Sequence, residues 1–312
     1  MAGAGVFGAV RRRVQARILE TVHDGDLRLE RFREPVGDVG LFGPGSMVWR
    51  VHAHPGGMLT GGFGALMLQS LHPLAMAGVA EYSDYREDPL GRLSKTARYV
   101  TMTSFGPTHE AEAAIARVRR AHTYIHGTAA DGRSYRADDP DLLTWVHTAE
   151  VSCFLAGYQA FSGTALTPKE CDRYFAEVAV LAQRLGARDV PHSMAEAARY
   201  LARMRPHLAA TPAALEAVGF LRGFGRDALE RLVTTVLMNG GIALLPDWAR
   251  AQLGIRRPAA VRILLDRPAA RLLSDFMIWA CGPSEFVVES RARINRAQPS
   301  PAAARDQPAF EH

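Results

Sequence analysis

Cysteine is scarce: Cys153, Cys171 and Cys281 stand far apart in 312 residues. An odd, widely spaced set excludes a disulfide framework and points to free buried thiols in a reduced compartment. Long apolar runs are missing too. No stretch approaches the ~20 apolar residues that a spanning helix needs. The longest, Leu232 to Leu245 and Leu272 to Cys281, are too short or carry Asp275. A short apolar patch precedes Arg11-Arg12-Arg13, whereas a secretory leader carries its charges first. The expectation is a cytoplasmic protein with no transmembrane segment. Charge of one sign is only mildly in excess, at +5, and part of it sits at the ends, in those arginines and in Arg291, Arg293 and Arg296. No basic stripe interleaved with aromatics accompanies it, which argues against nucleic acid as a partner. Strand signals are few.

Helix punctuation, by contrast, recurs. With 48% hydrophobic and 22% charged residues the chain has enough apolar material for a sizeable core. Asp139-Pro140 reads as an N-cap followed by proline in the first turn, and Thr167-Pro168-Lys169-Glu170 as a capping box closing at Gly186. Ser193-Met194-Ala195-Glu196 opens another helix, Thr211-Pro212 the next, and Gly225 to Pro246 supplies a long one. Pro258–Leu265 and Pro268–Cys281 read as two pieces, because proline breaks a helix interior. Leu59–Leu71 is an apolar helix ending at His72-Pro73, and Pro89–Phe105 and Thr108–His126 follow with a break at Gly106-Pro107. The expected architecture is all-α. Residues 1–24 form an N-terminal amphipathic basic helix, 25–298 a single helical domain, and 299–312 a disordered tail. The basic first helix leaves peripheral membrane contact open, and the chain is read as a monomer or homodimer.

Ile115, Val118, His122 and Ile125 recur at steps of three and four, so His122 lies within an apolar stripe. Such a histidine is either a hydrogen-bonded core residue or an imidazole facing a cleft, where a neutral ring nitrogen is a good iron ligand. Arg119, three residues earlier, is placed to neutralise an acidic cofactor group. His126, four residues on, allows zinc with His122, but no third ligand follows. Arg92, Lys95 and Thr96 cluster on one face of the preceding helix, either as a solvated edge or as a cationic and hydroxyl pair above a reaction centre. His147 reads as the packing partner of Trp145, with Glu150 about one turn on. Gly56-Gly57, Gly61-Gly62 and Gly64 form no phosphate loop and suit close packing on a helix or a flat cofactor. Met58, Met67, Met76 and Met102 are either cavity lining or core filling.

The ordered set His72-Pro73, Asp88-Pro89, Gly91-Arg92-Leu93, Thr96, Phe105-Gly106, Arg119 and His122 resembles the MpaB-like oxygenases, the family that includes the rubber oxygenases. Asp141-Leu142-Leu143 and Trp145-Val146-His147 extend the resemblance, which spans roughly residues 35–270. It implies a globin-related all-helical fold that binds haem b and uses dioxygen. It further implies His122 as the axial iron ligand, with Arg119 three residues before it. Arg92 and Thr96 would be the functional pair, and Lys95 the distal ligand. Where the rubber oxygenases carry an arginine four residues after the axial histidine, this chain has His126, which leaves a cofactor role there in doubt. No base is assigned, and Glu81 and Glu87 are the candidates. The expectation is thus a haem-dependent oxygenase acting with dioxygen on an apolar small molecule, with oxidative C=C cleavage as the chemistry implied. The alternative is a non-catalytic haem- or lipid-binding helical protein.

Overall fold

Helix starts follow the cap chemistry closely. In the computed structural model, which describes residues 27–222, 225 and 227–297, α1 (Met47–His52) begins at Ser46, whose hydroxyl accepts from Trp49 N. The next five helices are α2 (Pro55–Gln69), α3 (Pro73–Tyr82), α4 (Pro89–Phe105), α5 (Thr108–Thr123) and α6 (Pro140–Phe161). They are followed by α7 (Pro168–Leu185), α8 (Met194–Met204), α9 (Pro212–Arg222) and α10 (Ala228–Leu244). α11 (Asp247–Gln252), α12 (Arg267–Cys281) and α13 (Glu285–Asn295) complete the described chain. In α2, α3, α4, α6 and α7 a polar cap stands directly before a proline, which satisfies an end N–H and presets φ for the first turn. The Thr167–Glu170 capping box forms in full, and α7 closes on Gly186 at φ 111°. The all-α expectation holds: the described strands are one short hairpin, His126–Thr128 against Ser134–Arg136.

Three local expectations are corrected. The helix expected over Thr108–His126 ends at Thr123, with Tyr124 as its cap, and His126 opens the hairpin. His72 does not only end a helix: its Nδ1 accepts from Ala75 N and so starts α3. Pro268 does not split its segment. A turn at Ala259–Val261, a π turn over Arg262–Asp266 and α12 run on without a gap. The widened turn makes room for the proline ring, which in a regular helix meets the carbonyl four residues back. The segments expected at 1–24 and 299–312 lie outside the described residues.

The hub of the packing is α2, which lies against α6, α10 and α12. Glycine lets it do so. A Cβ at Gly61 would stand 2.6 Å from Cys153 O, one at Gly241 would stand 2.8 Å from Gly64 N, and one at Gly56 would overlap Ser274. The glycines therefore serve helix-on-helix contact. Met67, Met76 and Met102 are core residues. Among the described residues no single helix is long and apolar enough to cross a membrane; α2 and α3 reach that composition only together, bent by 107°.

One arginine read as surplus end charge has a structural task. Arg293 is fully buried, and its guanidinium donates to Asp38 O (2.8 Å), Phe32 O (2.8 Å) and Phe105 O (3.0 Å). It joins α13 to the end of α4 and to the segment before α1. Arg293→Met strands the buried Phe32 carbonyl at ~1–3 kcal/mol and takes one donor from the part-buried Asp38 carbonyl and from Phe105 O, which keeps the Ser290 hydroxyl. Chemical denaturation should show a loss of about 2 kcal/mol or more, against about 0.5 kcal/mol or less for the exposed Arg296→Met.

Candidate functional site

Five helices enclose an apolar cleft, and four of them contribute polar groups. Its walls are chiefly Val100, Val146, Val151, Phe154, Leu181 and Leu185. Its cavity is about 90 Å³, below the ~300–1,000 Å³ of ligand sites, so a ligand of that size requires the walls to part. His52 enters from α1, Tyr99 and Thr103 from α4, His122 from α5, and His147 and Glu150 from α6, while α7 supplies apolar wall. Tyr99 and Thr103 are one turn apart, and so are His147 and Glu150, so each pair shares a helix face.

The polar groups differ in how far they are already committed. His52 is engaged at both ring nitrogens, Nδ1 with Ser104 Oγ (2.7 Å) and Nε2 with the Tyr174 hydroxyl (3.0 Å). Burial holds its pKa down at about 3. His147 Nε2 and the Tyr99 hydroxyl are buried with no hydrogen-bond partner. Burial lowers the His147 pKa to about 4 and raises that of the Tyr99 phenol, so both are neutral near pH 7. His122, half-buried in the last turn of α5, makes no side-chain hydrogen bond among the described residues. Its pKa is lowered by burial; Asp138 opposes this and Arg92 adds to it. Glu150 is the carboxyl group in the cleft lining, pushed by burial up to about 7 against the pull of Arg92.

Arg92 is thus electrostatically coupled to both Glu150 and His122. Its Nη1 donates to Thr96 Oγ1 at 2.7 Å, so the pair expected at four-residue spacing is formed. Lys95 is not brought in: its side chain is 60% exposed and its Nζ lies 3.8 Å from Asp84. Arg119 and His126 are exposed, and neither lines the cleft. His126 accepts through its backbone carbonyl from the Tyr82 hydroxyl. Of the candidate bases, Glu81 takes a hydrogen bond from the Tyr135 hydroxyl and Glu87 is exposed; both lie outside the cleft.

His147 does not pair with Trp145. Two residues on a helix are about 200° apart, so the two side chains face opposite ways. Trp145 points into the core, where its Nε1 donates to Gln69 O (3.3 Å) and its ring meets that of His72 at 5.9 Å. His52, Tyr99 and Glu150 were not singled out from sequence as site residues. The signal that could have found the last was its three-residue spacing from His147.

A helical chain whose interior cleft gathers neutral imidazoles, a phenol and one carboxyl group between apolar walls has the design of an enzyme that works away from bulk water. It belongs to the family described as ER-bound oxygenase mpaB/B'/Rubber oxygenase, catalytic domain, which matches residues 49–275. Comparison with curated proteins and with solved structures gives no match. Membership makes this an oxygenase-family protein, for which dioxygen and a small molecule are the reactants.

Proposed function

We propose that the chain is a haem-b-dependent oxygenase that acts on an apolar small molecule, with oxidative C=C cleavage as the reaction type. The observation that carries the reading is the His122 imidazole, neutral and without a side-chain partner, facing an apolar cleft. The unpaired Nε2 of His147 and the unpaired Tyr99 hydroxyl support it, because buried polar atoms ordinarily have partners and these lack one. His122 would hold the iron through a neutral ring nitrogen. Haem bound there supplies the centre that activates dioxygen. Arg92, fixed by Thr96, sets positive potential beside the cleft. Glu150 stores a proton inside it, the Tyr99 hydroxyl donates a hydrogen bond, and the valine and leucine walls exclude water and favour an apolar substrate. The buried thiols of Cys153 and Cys171 support a cytoplasmic location.

Purified protein should take up haemin and give a Soret band, and His122→Ala should lose most of it while keeping its far-ultraviolet dichroism. Protein that stays colourless under haemin titration would sink the reading. Ferrous protein should bind carbon monoxide; a site that refuses it is a carrier rather than an oxygenase.

A further inference from the structure

α12 is apolar on two opposite faces. Ala270, Ser274, Met277 and Ala280 recur at steps of four and three and are buried, in a helix that packs on α2 and α10. Leu272, Phe276 and Trp279 recur at the same steps on the other side and are exposed. Leu264 and Leu265, exposed in the π turn directly before α12, extend the strip. Leu264 is 76% and Leu272 71% exposed, so these side chains stand in water. The Phe276 and Trp279 rings lie 5.7 Å apart, tilted on each other. A surface helix ordinarily turns polar residues to solvent, and a contiguous apolar strip in their place marks a binding surface.

The strip is bordered by positive charge. From Arg256 to Arg271 the chain carries five arginines and one acid, Asp266. Asp266 is buried and taken by Arg257, Arg262 lies 3.7 Å from Asp247, and Arg271 pairs with Asp275. Arg256 and Arg267 are exposed and have no carboxylate partner among the described residues. A second copy of the chain would bring the same surplus charge and no counter-charge. A strip ~22 Å long and one helix wide also falls short of the ~800 Å² that each partner of a stable interface buries. A lipid surface fits both features, because leucines and an aromatic pair enter the acyl boundary while anionic headgroups take the arginines. We propose that this strip is a peripheral docking surface for an anionic bilayer, with α12 lying in the plane of the interface. Such contact needs no spanning helix. α12 supplies no residue to the cleft lining, so the inference does not rest on the haem reading.

The test is co-sedimentation of the full chain with phosphatidylcholine–phosphatidylserine vesicles, against vesicles of phosphatidylcholine alone. The anionic vesicles should retain the protein, less so as salt is raised, and the neutral ones should retain much less. Leu272→Asp and Leu264→Asp, both at exposed positions, should each weaken binding about tenfold or more and leave thermal unfolding nearly unchanged. Arg256→Glu combined with Arg267→Glu should flatten the salt dependence. Leu215→Asp, exposed on α9, should bind as wild type does. Brominated lipid should quench tryptophan fluorescence in wild type and much less in Trp279→Phe. Absence of binding to the anionic vesicles overturns the proposal, and so does unchanged binding in both aspartate variants. A concentration-dependent dimer that Leu272→Asp dissociates overturns it as well, and makes the strip a contact between copies.

Discussion

Replacing Glu150 by glutamine should stabilise the haem-free protein by about 3 kcal/mol near pH 8 and by less than about 1 kcal/mol near pH 5. Burial raises this carboxyl group from the ordinary 4.5 to about 7 in the folded state. A raised carboxylate pKa means that the unfolded chain releases its proton first. Below pH 4.5 both states are protonated and the group has no effect. Between 4.5 and 7 the folded state increasingly bears the cost of holding the neutral form or burying the charge, and above 7 that cost is complete. Glutamine, neutral and of the same shape, removes it. The groups whose charge states interact with Glu150 are Arg92 and Tyr99 on α4, Cys153 on α6 and Tyr174 on α7. Only Arg92 is cationic; the phenols and the thiol are themselves held protonated, so little offsets the carboxylate charge. Urea unfolding of wild type and Glu150→Gln at the two pH values gives the comparison. An equal difference at both would mean that Glu150 is ionised throughout and solvated by cleft water.

Gly157→Ala should cost about 3 kcal/mol or more, the upper end of overpacking effects. A methyl group there runs into Gly57 O and stands 3.1 Å from Gly61 N. Both obstacles are backbone of the hub helix α2, which is itself pinned by α10 and α12, so the strain has no side chain to absorb it. Gly62→Ala is the matched contrast. Its Cβ meets nothing nearer than Phe154 Cε1 at 3.9 Å, and alanine is the better helix former by ~1 kcal/mol. Thermal denaturation should therefore move the two alanine variants in opposite directions. Equal behaviour would show that α2 and α6 do not depend on backbone contact at Gly157.

What could be read from the sequence is what acts locally. Asp139, Thr167 and Ser193 cap the helices expected of them, because a cap needs only its own next three residues. The hairpin at His126 was hidden because Ile125 prolongs the apolar period past the true end of α5. The cleft was legible at His122 and illegible at His147 and Glu150, while Arg92 and Thr96 pair with each other outside its lining. Along α6 the core face and the cleft face are both largely apolar, and nothing in the helix itself says which one meets a void. That is decided by how α4, α5 and α7 assemble around it. Lys95 was drawn in by standing next to Thr96, yet neighbours on a helix point about 100° apart.

The Arg293 junction has a kinetic side. Its three hydrogen bonds close separations of 255, 261 and 188 residues. Contacts of such length carry a large loop-closure entropy until most of the chain is already in place, so they form late. Interactions absent from the folding transition state leave the folding rate nearly untouched and act almost wholly on the rate of unfolding. The junction should then act as a clasp, with Arg293→Met speeding unfolding more than it slows refolding in stopped-flow measurements.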